Sequence, residues 1–181
     1  MAVQLAARAF GSVVVTRAWP APEGPVLVGV DGSAAAEPVL DFAFDAAAQR
    51  RHWLLVVHVL ESGNRADALE RMVASRALAS GIDARLRVLD GDPTAVMARE
   101  SQEASLIVVG ARGRAPFHGL LGSVAQTLLH HGRASVAVVR GTVPESCRPV
   151  HSDASTSHHA IVCARVAEPP AARHAPRATS R

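Results

Sequence analysis

One loop of this chain has the residue types and spacing of a phosphate-binding site. Gly110 and Gly113 follow a run of four apolar residues, and Gly122 directly precedes Ser123. Glycines let backbone N–H groups approach a ligand closely, a serine hydroxyl adds a donor, and the N-terminus of a helix favours negative charge. This order of residues predicts a loop that holds a chain of phosphates at the start of a helix.

The chain has no lysine, and this limits the chemistry that such a loop can use. A Walker-type P-loop and a Schiff base both require a lysine amine, so both are excluded. Backbone N–H groups, hydroxyl groups and arginines must therefore provide the phosphate contacts. Arg112 and Arg114 could each bind a phosphate in a bidentate manner. On an exposed loop they could equally remain solvated.

A second group of candidate residues lies at the end of the first predicted strand. The apolar run at residues 26–30 ends at Asp31 in an Asp-Gly-Ser turn. Asp31 either binds a ligand at the strand end or only caps the turn, and Gly29 either approaches that ligand or permits close packing. His58, at the end of the next strand, is expected to be structural. No Ser/His/Asp set has an informative spacing, so we predict no catalytic residue.

The elements that must position these residues alternate between strands and helices. Apolar runs predict strands, and capped or amphipathic segments between them predict helices. The strands are predicted at residues 26–30, 53–59, 84–89, 106–109 and 135–139, and the helices at residues 37–51, 64–80, 92–103 and 122–132. Strands joined through helices are parallel, so we predict a doubly wound α/β domain with a five-stranded parallel sheet. Ligands bind such sheets at the carboxyl ends of the strands, where Asp31 and Gly110 both lie.

The composition excludes several classes of protein. Hydrophobic residues make up 49% of the 181 residues but aromatic residues only 3%, which disfavours a base-stacking surface. Between residues 25 and 140 twelve arginines balance twelve carboxylates, so we expect no nucleic-acid partner. No apolar run is long enough to span a membrane, and there is no convincing signal peptide. The two cysteines form no disulfide framework, so we expect a cytoplasmic protein without membrane contacts.

Two flanking segments, residues 1–24 and 142–181, enclose the predicted domain at residues 25–141. The first seventeen residues align without gaps on residues 124–140. Either the N-terminal extension is a helix and strand left from a preceding repeat, or two Ala- and Val-rich segments are alike by chance. The aligned identities are Ala2/Ala125, Leu5/Leu128, Ser12/Ser135, Val13/Val136, Val15/Val138 and Arg17/Arg140.

The C-terminal segment is rich in Ala, Pro, Ser, His and Arg and has little periodicity beyond residues 160–166, so we predict that it is disordered. Five of its cysteines and histidines are candidate metal ligands, but their spacing fits no standard zinc pattern, and we predict no metal site there. These five residues are Cys147, His151, His158, His159 and Cys163.

From about Val26 to Arg140 the chain resembles the universal stress protein family. The similarity rests on the Asp-Gly-Ser opening, the His58-Val59 end of the second strand and the glycine loop. The ATP-binding branch of that family carries G-x2-G-x9-G-[ST]. The loop of this chain matches that motif except that eight residues, rather than nine, separate its second and third glycines.

The resemblance implies an ATP site, with magnesium, at the ends of the first and fourth strands. It implies that Gly29 and Asp31 lie beside the ribose and phosphates, that the backbone of Val59 meets adenine, and that the glycine loop and last helix hold the triphosphate. The residues implied to bind the nucleotide are Gly29, Asp31, Val59, Gly110, Ala111, Arg112, Gly113, Arg114, Gly122, Ser123 and Val124.

The resemblance also implies a fold of the adenine nucleotide alpha hydrolase type, with strand order 3-2-1-4-5, and a homodimer through the last strand. We therefore expect a cytoplasmic, nucleotide-responsive stress protein in which ATP acts as a regulatory ligand. Two alternatives remain: a nucleotide-free dimerisation module, whose shortened loop has lost its pocket, and a slow ATP-hydrolysing enzyme.

Overall fold

A seven-stranded sheet forms the centre of the protein, with strand order β4-β3-β2-β5-β6-β1-β7. The computed structural model describes residues 2–9, 11–17, 23–33, 35–60, 66–111, 121–140 and the backbone of 162–166. The strands are β1 (Val13–Arg17), β2 (Val26–Val30), β3 (Leu54–Leu60), β4 (Ala84–Asp90), β5 (Leu106–Gly110), β6 (Ser135–Val139) and β7 (Val162–Val166).

Strands β2 to β6 confirm the predicted fold class. All four contacts among them are parallel, and their order in space is β4-β3-β2-β5-β6. Counted from the first predicted strand, this is the order 3-2-1-4-5. The two further strands lie beyond β6, where β1 pairs antiparallel with β6 and β7 pairs parallel with β1.

Helices cover both faces of the sheet, as expected for a doubly wound domain. The helices are α1 (Ala2–Arg8), α2 (Ala36–Arg50), α3 (Asp67–Ser80), α4 (Pro93–Glu100) and α5 (Ser123–His131), and a short 3-10 helix follows α4. Buried residues of α2 and α3 pack on one face, and those of α1, α4 and α5 pack on the other. None of the helices in the described part of the chain is long and apolar enough to cross a membrane.

Local sequence explains where several helices begin and end. Asp92 accepts a hydrogen bond from the backbone N–H of Ala95 at 2.8 Å, and Pro93 is the first residue of α4. Gly81 ends α3 in the left-handed conformation, with φ of 69°. Pro38 lies in the first turn of α2, where its missing N–H has no intrahelical acceptor to lose.

The strands alternate between two apolar layers because both faces of the sheet are covered. On β2, Leu27 belongs to the layer beneath α4 and α5, whereas Val26 and Val28 belong to the layer beneath α2. All three side chains are completely buried. This burial accounts for the nearly continuous apolar sequence of β2, β3 and β5, which is typical of parallel strands.

At both flanks the structure has elements in addition to the five predicted strands and four predicted helices. Residues 2–17 of the N-terminal extension form α1 and β1, which join the sheet and one of its helical layers. In the segment predicted to be disordered, residues 162–166 form β7, because β1 offers that segment an edge to pair with. The other residues of that tail, including Cys147 and the three histidines named above, lie outside the described residues.

Candidate functional site

The carboxyl ends of β2, β3 and β5 lie side by side at one edge of the sheet. Val30, the last residue of β2, pairs with His58 of β3, so Asp31 follows next to Val59. Val59 is partly buried and lies one residue beyond the last pair between these two strands. Neighbouring strands are about 4.8 Å apart, which brings the backbone of Val59 close to Asp31.

On the other side of β2, the same edge is formed by the end of β5. Gly29 pairs with Val109 in the last pair between β2 and β5, and Asp31 and Ala111 each follow two residues after this pair. The first and second predicted site segments, the Asp-Gly-Ser turn and the start of the glycine loop, are therefore neighbours in space. This placement depends on the strand order, because β2 and β5 are separated in the chain by two other strands.

One carboxylate oxygen of Asp31 is hydrogen-bonded, and the other has no partner among the described residues. Its Oδ1 accepts hydrogen bonds from the backbone N–H of Ser33 at 3.0 Å and from the Ser33 hydroxyl at 2.6 Å. Its Oδ2 is buried and has no hydrogen-bond partner among the described residues. Buried polar atoms are normally hydrogen-bonded, so this oxygen indicates that a further group belongs at this position.

Backbone hydrogen bonds hold the two ends of the glycine loop together. The N–H of Ala111 donates to the carbonyl of Val139 at 2.8 Å, and the N–H of Gly122 donates to the carbonyl of Ala111 at 3.0 Å. The N-terminus of α5 is thereby fixed beside the carboxyl end of β5. Gln126 strengthens this arrangement, because its side-chain amide donates to the carbonyl of Leu121 at 3.0 Å.

The first turn of α5 has backbone N–H groups that no side chain caps. Gly122 occupies the N-cap position with φ of −62° and ψ of 155°, and it has no side chain to accept their hydrogen bonds. The first backbone donor within the helix is Gln126, which bonds to the carbonyl of Gly122. The N–H groups of Ser123 and Val124 therefore point out of the helix end, where the helix dipole favours an anion.

His58 has a structural role, as its position in the sequence suggested. It is 2% exposed, and its Nδ1 lies 2.9 Å from the carbonyl oxygen of Val30. A carbonyl oxygen can only accept a hydrogen bond, so Nδ1 of His58 carries the hydrogen atom and donates a hydrogen bond to the carbonyl oxygen of Val30. This bond ties the end of β3 to the last residue before Asp31.

Gly29 lies within the sheet and faces α4. A Cβ at this position would lie 2.7 Å from Cε and 2.9 Å from Sδ of Met97. The absence of a side chain therefore allows Met97 to pack against β2, which is the packing role considered for this glycine. A position of Gly29 beside a ribose stays a prediction.

Three of the predicted site residues, Arg112, Gly113 and Arg114, lie outside the described residues. Of the others, Asp31, Val59, Gly110, Ala111, Gly122, Ser123 and Val124 come together at one edge of the sheet through the contacts given above. Within the described ranges no cluster of three or more His, Cys, Asp or Glu side chains could hold a metal ion by itself. Any magnesium ion here would need ligands from a nucleotide in addition to Asp31.

The sequence prediction missed two residues that shape the site. Ser33 holds Asp31 in place, and an Asp-Gly-Ser sequence is a recognisable signal for such a turn. Gln126 fixes the residue before Gly122, but nothing in its sequence position distinguishes it from an exposed helix residue.

Comparisons with known proteins agree with this arrangement. A sequence model of the universal stress protein family matches residues 22–140. The universal stress protein Rv2623 of Mycobacterium tuberculosis is 34% identical over 135 residues, which are 65% of this chain and 46% of that protein. A universal stress protein of Mycolicibacterium smegmatis is 33% identical over 133 residues. The chain spans about half the length of these curated relatives.

Solved structures show the same fold. The universal stress protein UspA from Lactobacillus plantarum has a TM-score of 0.58 at 22% identity, covering 66% of this chain and 99% of that one. A universal stress protein in complex with cAMP has a TM-score of 0.55 at 30% identity, covering 66% of this chain and 97% of that one. The match to a universal stress protein structure from Pseudomonas aeruginosa has a TM-score of 0.57 at 22% identity and covers 76% of this chain and 55% of the Pseudomonas chain. Because the family match covers most of the sheet and both segments that meet at its carboxyl edge, this chain belongs to the universal stress protein family.

Proposed function

We propose that this protein binds ATP, with magnesium, at the carboxyl edge formed by β2, β3 and β5, and that the nucleotide acts as a regulatory ligand in a cytoplasmic stress response. The observation that carries the proposal is the buried, unpartnered Oδ2 of Asp31 next to the strand end from which the glycine loop leads to α5. The cAMP complex of a family member supports an adenine nucleotide as the ligand class.

In this proposal each side of the site has a separate task. The uncapped first turn of α5, at Ser123 and Val124, would bind phosphate oxygens through backbone N–H groups. The backbone of Val59, beyond the last β2–β3 pair, would face the adenine. Asp31 would lie between them, where its free oxygen could accept a bond from a ribose hydroxyl or ligate magnesium.

A regulatory role fits this site better than turnover does. Among the described residues no group of three or more His, Cys, Asp or Glu side chains could hold a metal ion, and we assign no acid or base to the activation of water. His58, the nearest titratable ring, already donates a hydrogen bond to Val30. A bound nucleotide would then act by its different affinity for two states of the protein.

Calorimetric titration of the full chain with ATP and magnesium tests the proposal. We expect saturable binding and, for Asp31→Asn, an affinity about tenfold or more lower, since a hydrogen bond to a charged group is lost. Asp83→Asn is the matched control, because the Asp83 carboxylate is 59% exposed and pairs only with the exposed Arg85 within the described residues. The absence of saturable binding at millimolar ATP would overturn the proposal and favour the nucleotide-free module.

Two further measurements separate the remaining alternatives. If Asp31 ligates magnesium, chelation of the metal should remove the difference between wild type and Asp31→Asn; if it binds the ribose, the difference should persist. Steady phosphate release from ATP that is abolished by Gly122→Asp would instead favour the slow hydrolase. Competition by cAMP and AMP would show which phosphates the site requires.

The homodimer implied by the resemblance needs a free outer edge on the last strand of the domain. In this chain β1 pairs with that edge of β6. We therefore propose that a dimer of this kind forms only when β1 leaves β6.

A further inference from the structure

Residues 2–17 and residues 124–140 contact each other through a nearly two-fold symmetric set of bonds. The sequence alignment of the two segments matches each residue with the one 123 positions later. In the antiparallel ladder Val13 pairs with Val138 and Val15 pairs with Val136. Because Val13 corresponds to Val136 and Val15 to Val138, a two-fold rotation exchanges these two pairs. The central pair, Val14 with Ala137, marks the position of that axis.

Hydrogen bonds at the two ends of this ladder repeat the symmetry. The backbone N–H of Arg17 donates to the Ser135 hydroxyl at 3.3 Å, and the backbone N–H of Arg140 donates to the Ser12 hydroxyl at 3.4 Å. Arg17 corresponds to Arg140 and Ser12 to Ser135 in the alignment. Each segment therefore donates one such hydrogen bond to the other segment and accepts one from it.

The two arginine side chains are also equivalent. The Arg17 guanidinium donates to the carbonyl of Leu129 at 2.5 Å, and the Arg140 guanidinium donates to the carbonyl of Ala6 at 2.7 Å. Ala6 and Leu129 are again 123 residues apart. Each arginine thus binds the last turn of the helix of the other segment, where the helix dipole favours a cation. Burial lowers the pKa of Arg17 from its usual value, and the carbonyl acceptors satisfy part of its buried guanidinium.

Strand directions extend the symmetry beyond the two segments. β5 runs parallel to β6 on one side of the axis, and β7 runs parallel to β1 on the other. A rotation about the two-fold axis therefore exchanges β6 with β1 and β5 with β7, and it preserves the directions of the strands. The structural likeness to the longer Pseudomonas aeruginosa chain, which covers 76% of this chain, also extends beyond the family match at residues 22–140.

The N-terminal segment is packed as part of the core. Ala6, Val13 and Val15 are at most 1% exposed, and they belong to the same apolar layer as Val136 and Val138. A strand edge is prone to pair with other chains, and β1 covers the edge of β6 with a ladder of three residue pairs.

A surface that binds a copy of its own sequence across a two-fold axis is self-complementary. We propose that α1 and β1 occupy, within one chain, the position that α5 and β6 of a second copy of this chain would take, and that such a copy pairs with β6 when β1 is displaced. In that pairing Ala137 would face Ala137 of the second copy, and Val136 would face Val138. While β1 stays paired with β6, the chain would be a monomer in which two of its own segments are related by the two-fold axis. The inference does not depend on nucleotide binding.

Cysteine cross-linking of the full chain tests the arrangement directly. The background carries Cys147→Ser and Cys163→Ser, so that only introduced thiols react. Facing residues of an antiparallel pair have Cβ atoms about 5 Å apart, within reach of a disulfide after small shifts. We expect Val14→Cys with Ala137→Cys to form a disulfide within one chain, and Ala137→Cys alone to remain unlinked. Sedimentation should give the mass of one chain, 18.9 kDa.

Displacement of β1 tests the second half of the proposal. Val15 is completely buried in the layer beneath α1, so Val15→Asp places a charge where β1 packs on the domain. We expect this variant to sediment with twice the mass of one chain and, with Ala137→Cys, to form a disulfide between chains. Leu5→Asp is the control, because Leu5 is 40% exposed and the same charge remains in solvent there; it should stay a monomer.

Three results would overturn the proposal. The first is a disulfide between chains for Ala137→Cys in the intact protein, and the second is a disulfide between chains for the Val14→Cys and Ala137→Cys pair. The third is a folded Val15→Asp variant that keeps the mass of one chain and forms no disulfide at Ala137→Cys.

If Val15→Asp loses its helical circular dichroism, Arg17→Ala replaces it. This substitution removes the bonds to the α5 carbonyls without adding a charge. We then expect cross-linking between chains at Ala137→Cys to become detectable, because losing one hydrogen bond from a charged group raises the population with displaced β1 about tenfold. An Arg17→Ala variant that stays unlinked at Ala137→Cys would count against the proposal.

Discussion

Replacing Gly122 with aspartate should stabilise α5 and weaken nucleotide binding at the same time. The N-cap conformation of Gly122, with φ of −62° and ψ of 155°, suits an ordinary residue, and its N–H can still bond to Ala111. No side chain caps the helix in the wild type. An aspartate there can accept hydrogen bonds from the backbone N–H groups of the first turn, and its charge complements the helix dipole. The two effects together stabilise the helix by about 0.5–1 kcal/mol. The melting temperature should rise by about 1–4 °C.

The same carboxylate should oppose a phosphate at the helix end. Two like charges about 4 Å apart repel by roughly 4 kcal/mol at an effective dielectric constant of 20. Solvent at the sheet edge reduces this repulsion, and competition for the N–H groups adds about 1 kcal/mol. A total of about 2–3 kcal/mol corresponds to an affinity roughly 30- to 150-fold lower.

Thermal melting and calorimetric titration with ATP and magnesium measure the two effects on one preparation. Gly122→Asn is the matched control, since it can cap the helix but carries no charge, and it should lose much less affinity than Gly122→Asp. A higher melting temperature with unchanged affinity would refute the placement of the phosphates at α5. Equal losses for the two variants would show that charge is not the cause.

Three stability predictions concern the helix ends and can be checked by urea unfolding. Asp92→Ala removes the side-chain cap of α4 and should cost about 1 kcal/mol; no change in the unfolding midpoint would show that the cap contributes nothing. Gly81→Ala forces a Cβ into the left-handed conformation and should cost about 1 kcal/mol, although nothing lies within 4 Å of that Cβ. Arg51 is the one non-glycine residue with positive φ among those described, at 56°, so Arg51→Gly should be neutral or stabilise by about 0.5 kcal/mol. Destabilisation by Arg51→Gly would contradict the assignment of strain to that position.

Local chemistry made the elements of the domain predictable. Asp92 followed by Pro93 marks the start of α4, and Gly81 marks the end of α3, because caps and left-handed residues act within a few positions of the chain. The apolar runs of β2 and β5 are buried on both faces, which is the pattern that parallel strands produce. The glycines and serine at the start of α5 could be recognised for the same reason, since a helix N-terminus is a local structure.

The flanking segments could not be assigned in this way. Six identities between two Ala- and Val-rich segments are compatible with chance, and a short helix and strand bury too little surface to be stable alone. The structure places β1 on the edge of β6, where Arg17 and Ser135 bond across the two segments. The strand β7 pairs with β1, so its place in the sheet depends in turn on that of β1.

The sequence by itself determined the kinds of elements, their order along the chain and the residue types available to bind phosphate, since these depend on periodicity, capping and the absence of lysine. Only the tertiary structure decided that β2 pairs with β5, which places the ends of these two strands side by side, that Gly29 accommodates Met97, and that β1 covers the last strand of the domain. Each of these contacts joins residues far apart in the chain, and long-range pairing is selected by the packing of the whole sheet rather than by any short stretch of sequence.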